Sequence, residues 1–126
     1  MILAFIDLET TGFASKTGYN KRGRWVKENE IIEVAALLYD EETKEVIDEF
    51  HEYIKPYRSK IPTKITEITG ITNAMVRECR SEEDVLIDFF DWLLEANPNK
   101  LVGHNFKSFD WRFLKDKSDR YSIPIK

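Results

Sequence analysis

Apolar residues run almost unbroken from Ile2 to Leu8 (ILAFIDL), and such a run predicts a strand buried on both faces. A second apolar segment, IIEVAALLYD (31–40), and a third with near-alternating polarity, EVIDEFHEYI (45–54), are separated only by the acidic turn around EETKE. Connections this short predict an antiparallel three-strand meander. Residues 13–29 are polar, basic and glycine-containing, and read as a long loop or a mobile hairpin.

Pro56 and Pro62 then break the strand pattern, and residues 63–79 read as short helical turns around Gly70. Ser81 is a good N-cap, followed by first-turn acids at Glu82, Glu83 and Asp84. The helix behind it, 82–96, sets Val85, Leu86, Phe89, Phe90, Leu93 and Leu94 on one face. Asn97-Pro98-Asn99 ends that helix, Leu101-Val102 forms a short strand, and Phe106 to Lys117 reads as a second helix with Phe109, Phe113 and Leu114 inward. The order is β-β-β-α-β-α. It specifies an α/β fold with a mixed sheet, the fourth strand returned beside the first by a helical crossover.

Composition narrows the class. The 126 residues suit one domain, 1–126, and 42% hydrophobic with 13% aromatic residues is enough for a core. No apolar run approaches the roughly 20 residues of a membrane span, and no basic segment precedes the apolar start as in a signal peptide. The lone Cys79 cannot form an internal disulfide, which points to a reducing cytoplasm. A formal net charge of −4 gives no global sign of a polyanion partner. Charge is uneven, however: Lys16, Lys21, Arg22, Arg24 and Lys27 lie in one acid-free stretch, and Lys55, Arg58, Lys60 and Lys64 in another. Such stretches fit solvated loops as well as contacts to nucleic acid.

Two segments carry candidate chemistry. In FIDLETTG (5–12), Asp7 and Glu9 stand at i and i+2 of a strand and so share a face. Two carboxylates that close repel unless a cation separates them, and a hard, oxygen-seeking ion such as Mg²⁺ or Mn²⁺ would do so. The same acids also fit a strand that ends at Leu8 and enters a loop. In LVGHNFKSFDWRFL (101–114), Asp110 sits in an aromatic helix face, where an acid is costly unless paired or metal-bound. An exposed helix acid is the competing reading.

Together the two segments resemble the motifs of the DEDD (DnaQ-like) 3′–5′ exonuclease superfamily. The first motif, D-x-E-x-T-G, matches Asp7-Leu8-Glu9-Thr10-Thr11-Gly12, and the second, H-N-x-x-x-F-D, matches His104 to Asp110. IIEVAAL and IKPYRSKIPTKITEITGITNAMV resemble the family's second strand and linker, so the resemblance covers nearly the whole chain. It implies a ribonuclease H-like fold in which Asp7, Glu9 and Asp110 are catalytic and bind two Mg²⁺ or Mn²⁺ ions. The ions would brace the attacking and leaving oxygens at phosphorus. It also implies that Thr10, Thr11 and Asn105 contact the terminal nucleotide. Phe13 and Phe106 either stack on bases or pack in the core. The implied substrates are nucleic-acid 3′ ends, single-stranded DNA favoured, in proofreading or repair. RNA trimming and a catalytically incomplete binding or polymerase-docking module are the alternatives.

The chain departs from the family in two respects, the first being that no third motif, with its histidine or tyrosine and fourth aspartate, follows Asp110. Asp116 and Asp119 would lie about 9 and 13 Å further along the helix, too far to share a metal with it. His104 belongs to the second motif, and His51 reads as incidental. The last parallel strand and closing helix of the family's fold are likewise not found, leaving sheet surface uncovered. A longer exonuclease, a partner or swapped copy covering that sheet, and a short non-catalytic relative all fit, the first being preferred.

Overall fold

The computed structural model describes residues 1–57, 60–104 and 109–124. Its main sheet contains β1 (Ile2–Thr10), β4 (Ile31–Asp40), β5 (Glu45–Tyr53) and β6 (Lys100–Val102) in the order β5-β4-β1-β6. β1 pairs antiparallel with β4, β4 antiparallel with β5, and β6 parallel with β1. The meander and the parallel return of the fourth strand are thus as the pattern predicts. The loop between β1 and β4 holds a separate two-stranded ribbon, β2 (Gly18–Tyr19) with β3 (Trp25–Val26).

α1 (Thr63–Thr69) ends on Gly70, whose φ of 80° is the left-handed conformation a glycine adopts without strain. α2 (Asn73–Val76) starts where the Met75 N–H donates to the Thr72 hydroxyl at 3.1 Å. α3 (Glu82–Ala96) starts on Ser81, whose hydroxyl accepts from the Asp84 N–H, and ends on Asn97 in the left-handed region. Asn99 ties the next turn to the sheet, its side-chain oxygen accepting from the Ile2 N–H at 2.7 Å. This bond fixes where β6 comes alongside β1. α4 (Trp111–Arg120) follows. The start proposed for this helix at Phe106 lies outside the described residues.

The core fills one side of the sheet. Ile6, Leu8, Val34 and Ala36 meet Val85, Leu86, Phe89 and Phe90 of α3 and Phe113 and Leu114 of α4. Each fully buried Leu, Val or Phe here contributes about 1.5–3 kcal/mol. A smaller cluster of Ile32, Ile61, Ile71 and Val76 packs the linker helices against the sheet.

Two predictions are corrected. β1 is not buried on both faces: Ala4, Ile6 and Leu8 are buried, whereas Phe5 and Asp7 are exposed. A continuous apolar run shows that a strand is apolar, not that both of its faces are covered. Leu94 is not part of the buried stripe of α3 but is 47% exposed, because the last turn of that helix passes beyond the edge of the core.

Candidate active site

The exposed side of β1 carries Phe5, Asp7 and Glu9, the i, i+2 spacing having placed both acids on one face. Register sets Asp7 opposite Ala35 and Glu9 opposite Glu33. A third like charge therefore faces the pair, a feature hidden in the sequence because cross-strand register is not written locally. Glu33 is held by His51 of β5 at 2.5 Å. His51 is thus not incidental to this face: it anchors the carboxylate opposite Glu9. An open groove of about 620 Å³ runs across it, lined among others by Phe5, Asp7, Ala35, His51 and His104.

Asp110 comes to the same place from the start of α4. It is 3% exposed, and its Oδ2 has no hydrogen-bond partner. Burial raises its pKa to about 7, with the charges of Asp7 and Glu9 pushing the same way. Glu9 is also raised, first by burial and then by Asp7 and Glu33. The three motif acids therefore feel one another across two elements.

The corner that follows β1 is built with little slack. Register shifts between Glu9 and Thr10, a bulge that re-aims the chain at the end of the acid-bearing strand. Thr10 donates its hydroxyl to the Gly12 carbonyl at 2.6 Å. The Thr11 hydroxyl donates to Asn29 Oδ1 at 3.1 Å and accepts from the Glu30 N–H at 2.9 Å. Both threonines are buried with their hydroxyls engaged inside the protein. A Cβ on Gly12 would lie 2.6 Å from Asn29 Oδ1, so the glycine of this motif leaves room for that carboxamide. Phe13 is 82% exposed and meets Phe109 edge-on at 6.2 Å, outside the core. Asn105 and Phe106 lie outside the described residues. Asp116 does not reach the other acids; it accepts from the Ser15 hydroxyl.

One cluster was not foreseen. Lys117 is fully buried, with Nζ 2.8 Å from Glu28 and 3.3 Å from Glu82. Glu82 accepts from the Ile31 N–H at 2.7 Å and from the Tyr121 hydroxyl at 2.6 Å. Burial still raises the Glu82 pKa against these attractions, and burial together with Glu82 raises that of Tyr121. The available signal was Lys117 in the same helical row as Phe113 and Leu114.

The donor set of Asp7, Glu9 and Asp110 fits a hard divalent cation. All donors are carboxylate oxygens, one is buried without a partner, and their mutual repulsion is what a cation relieves. Among the described residues no three acids, histidines or cysteines are already gathered as a coordination cluster.

Comparison with known proteins places these features in context. An exonuclease family model of RNase T type matches residues 4–125. The chain is 37% identical over 110 residues to the PolC-type DNA polymerase III of Thermotoga maritima, covering 87% of this chain and 7% of that protein. It is 36% identical over 110 residues to the 3′–5′ exonuclease DinG of Bacillus subtilis, covering 87% of this chain and 10% of that protein. Among solved structures, the nuclease domain of 3′hExo, a DEDDh family member bound to rAMP, aligns with a TM-score of 0.71 at 20% identity. The alignment covers 98% of this chain and 60% of that one. The chain thus spans about a tenth or less of the length of these two curated relatives.

Proposed function

Because the chain belongs to the RNase T-type exonuclease family of the DEDD superfamily, we propose that it hydrolyses phosphodiester bonds at nucleic-acid 3′ ends. The observation that carries this reading is Asp110 Oδ2, buried without a partner beside two further carboxylates. Burial of an unpartnered carboxylate is costly, and a fold keeps it where a ligand completes it. Asp7, Glu9 and Asp110 would hold two Mg²⁺ or Mn²⁺ ions. When bound, such ions polarise the phosphoryl group and lower the pKa of a water to give the nucleophile.

The chain's own residues then have separate tasks. Asp7, exposed on the groove floor, meets the incoming phosphate side, while Asp110 closes the site from the core side. Thr10 and Thr11 shape the corner through their internal bonds, which leaves backbone rather than hydroxyls for the terminal nucleotide. Phe13 is the exposed aromatic ring available for a terminal base. DNA is the favoured substrate, in a proofreading or repair setting, because the relative at 37% identity is a DNA polymerase. The lone, partly buried Cys79 and the absence, among the described residues, of any helix able to cross a membrane fit a cytoplasmic enzyme.

One observation favours a second reading, a strand-binding module without hydrolysis: Asp116 is engaged by Ser15 and does not act as a fourth carboxylate. Digestion of a 5′-labelled single-stranded oligonucleotide with Mg²⁺ or Mn²⁺, and with EDTA as control, separates the two. A ladder shortening from the 3′ end, abolished by EDTA, is the expected result. Retained binding with no metal-dependent shortening would refute hydrolysis by this chain.

A further inference from the structure

The loop that leaves β1 rises into a ribbon whose construction differs from the rest of the surface. Tyr19 and Trp25 pair directly across β2 and β3, edge to face with centroids 5.1 Å apart, and are 75% and 60% exposed. Aromatic rings this large are seldom left bare on a two-stranded ribbon unless something covers them. The tip is set by Asn20, whose side-chain oxygen accepts from the Arg22 and Arg24 N–H groups at 2.9 and 3.0 Å. Gly23 completes it with φ of 76°. A tip closed by its own backbone leaves the side chains of Lys21, Arg22 and Arg24 free to point outward. With Lys16 and Lys27 they make five exposed cations and no acid between residues 16 and 27, on a chain of net charge −4.

The base of the ribbon is fastened to α4, the helix that Asp110 precedes. Arg112 donates to the Phe13 carbonyl at 2.7 Å, Ser15 bonds Asp116, and Glu28 is held by Lys117 and Arg120. The ribbon begins nine residues past Glu9, and the loop segments at its base are bound to α4, the helix that follows Asp110.

From this juxtaposition of paired aromatics and cations we infer that the β2–β3 ribbon is a binding arm for single-stranded nucleic acid. It grips the strand behind the 3′ terminal nucleotide. The inference deepens the exonuclease reading and rests on it for the polarity of the strand. Cations track phosphates and bare rings stack on unpaired bases without regard to sequence, the combination by which proteins hold single strands. A duplex, with its bases already stacked, offers the rings nothing.

The test is fluorescence anisotropy of a 5′-fluorescein oligo(dT) in EDTA, where no hydrolysis is needed. Lys21→Ser/Arg22→Ser/Arg24→Ser is expected to weaken binding and to flatten the slope of log K against log salt by about two, at roughly 0.7 for each phosphate that the variant no longer neutralises. Tyr19→Ala/Trp25→Ala is expected to lose roughly 10-fold or more in affinity with the salt slope kept. As a readout independent of these variants, unlabelled oligo(dT) should quench a component of the parent's tryptophan fluorescence that Trp25→Phe lacks. Unchanged affinity in both variants, no binding by the parent at low salt, or equal competition by blunt duplex overturns the inference. A parent that binds through the ribbon yet never shortens the strand would remove the enzymatic reading and leave the arm. Digestion with binding unaltered by the ribbon variants would do the reverse.

Discussion

Two buried charges stand seven residues apart, Asp110 at the N-terminal boundary of α4 and Lys117 within it, and the protein treats them in opposite ways. Lys117, fully buried, is met by Glu28 and Glu82, and the second of these is further bonded to Ile31 and Tyr121. Asp110, 3% exposed, is left with a bare oxygen and two like charges for company. The compensated cluster joins three separate parts of the chain: the loop before β4, the start of α3 and α4. Asp110 Oδ2 has no such partner. Unmet cost of that kind accumulates where a site waits for its ligand.

The contrast breaks most visibly at Asp110. Asp110→Ala should lower the rate of 3′-end shortening by at least about 10³-fold, beyond the 10²–10³ of a single preorganised contact, while raising the melting temperature of the metal-free chain. Activity within tenfold of the parent would remove Asp110 from the chemistry. Lys117→Ala should act in the opposite sense, costing about 3–5 kcal/mol in urea unfolding because two buried carboxylates lose their cation. Adding Glu82→Gln to it should recover part of the loss; a near-neutral Lys117→Ala would show that the cluster is not what fastens α4.

A smaller effect lies at the corner between the two regions. Gly12→Ala should cost about 1–3 kcal/mol, since the new methyl meets the Asn29 carboxamide at 2.6 Å, and removing that carboxamide with Asn29→Ala should relieve the strain. The smallest effect per step is in pH. Asp110 holds its proton more tightly folded, at about 7, than unfolded, at 3.8. Its cost is therefore absent below pH 3.8, grows as pH rises, and is complete above about 7. Melted in EDTA from pH 4 to 8, the parent should lose stability relative to Asp110→Asn by no more than about 1.4 kcal/mol per pH unit. Parallel curves for the two proteins would contradict the raised pKa.

The acid side of this contrast was legible in the chain, and the Lys117 side was hidden for a physical reason. The i, i+2 acids on β1 and the Ser81 cap of α3 depend on neighbours in sequence, and both stand where local rules put them. Glu82 read as one more first-turn acid, but the fold turns it inward onto Lys117, a choice made by residues 35 and more positions away. Glu33 and His51 beside Glu9 were hidden for the same reason, since strand register decides which charges face each other. Apolar runs were the weakest guide. ILAFIDL carries no mark of which of its faces is covered, and Phe5 is exposed.

If a cation completes Asp110 Oδ2 together with Asp7 and Glu9, removing either kind of donor must abolish metal binding. Calorimetric titration of Mn²⁺ at pH 8 into the parent chain, Asp7→Ala and Asp110→Asn tests it directly. Saturable binding to the parent and its loss in both variants are expected, with the variants still folded by their melting curves. Equal binding heats in all three proteins would contradict it.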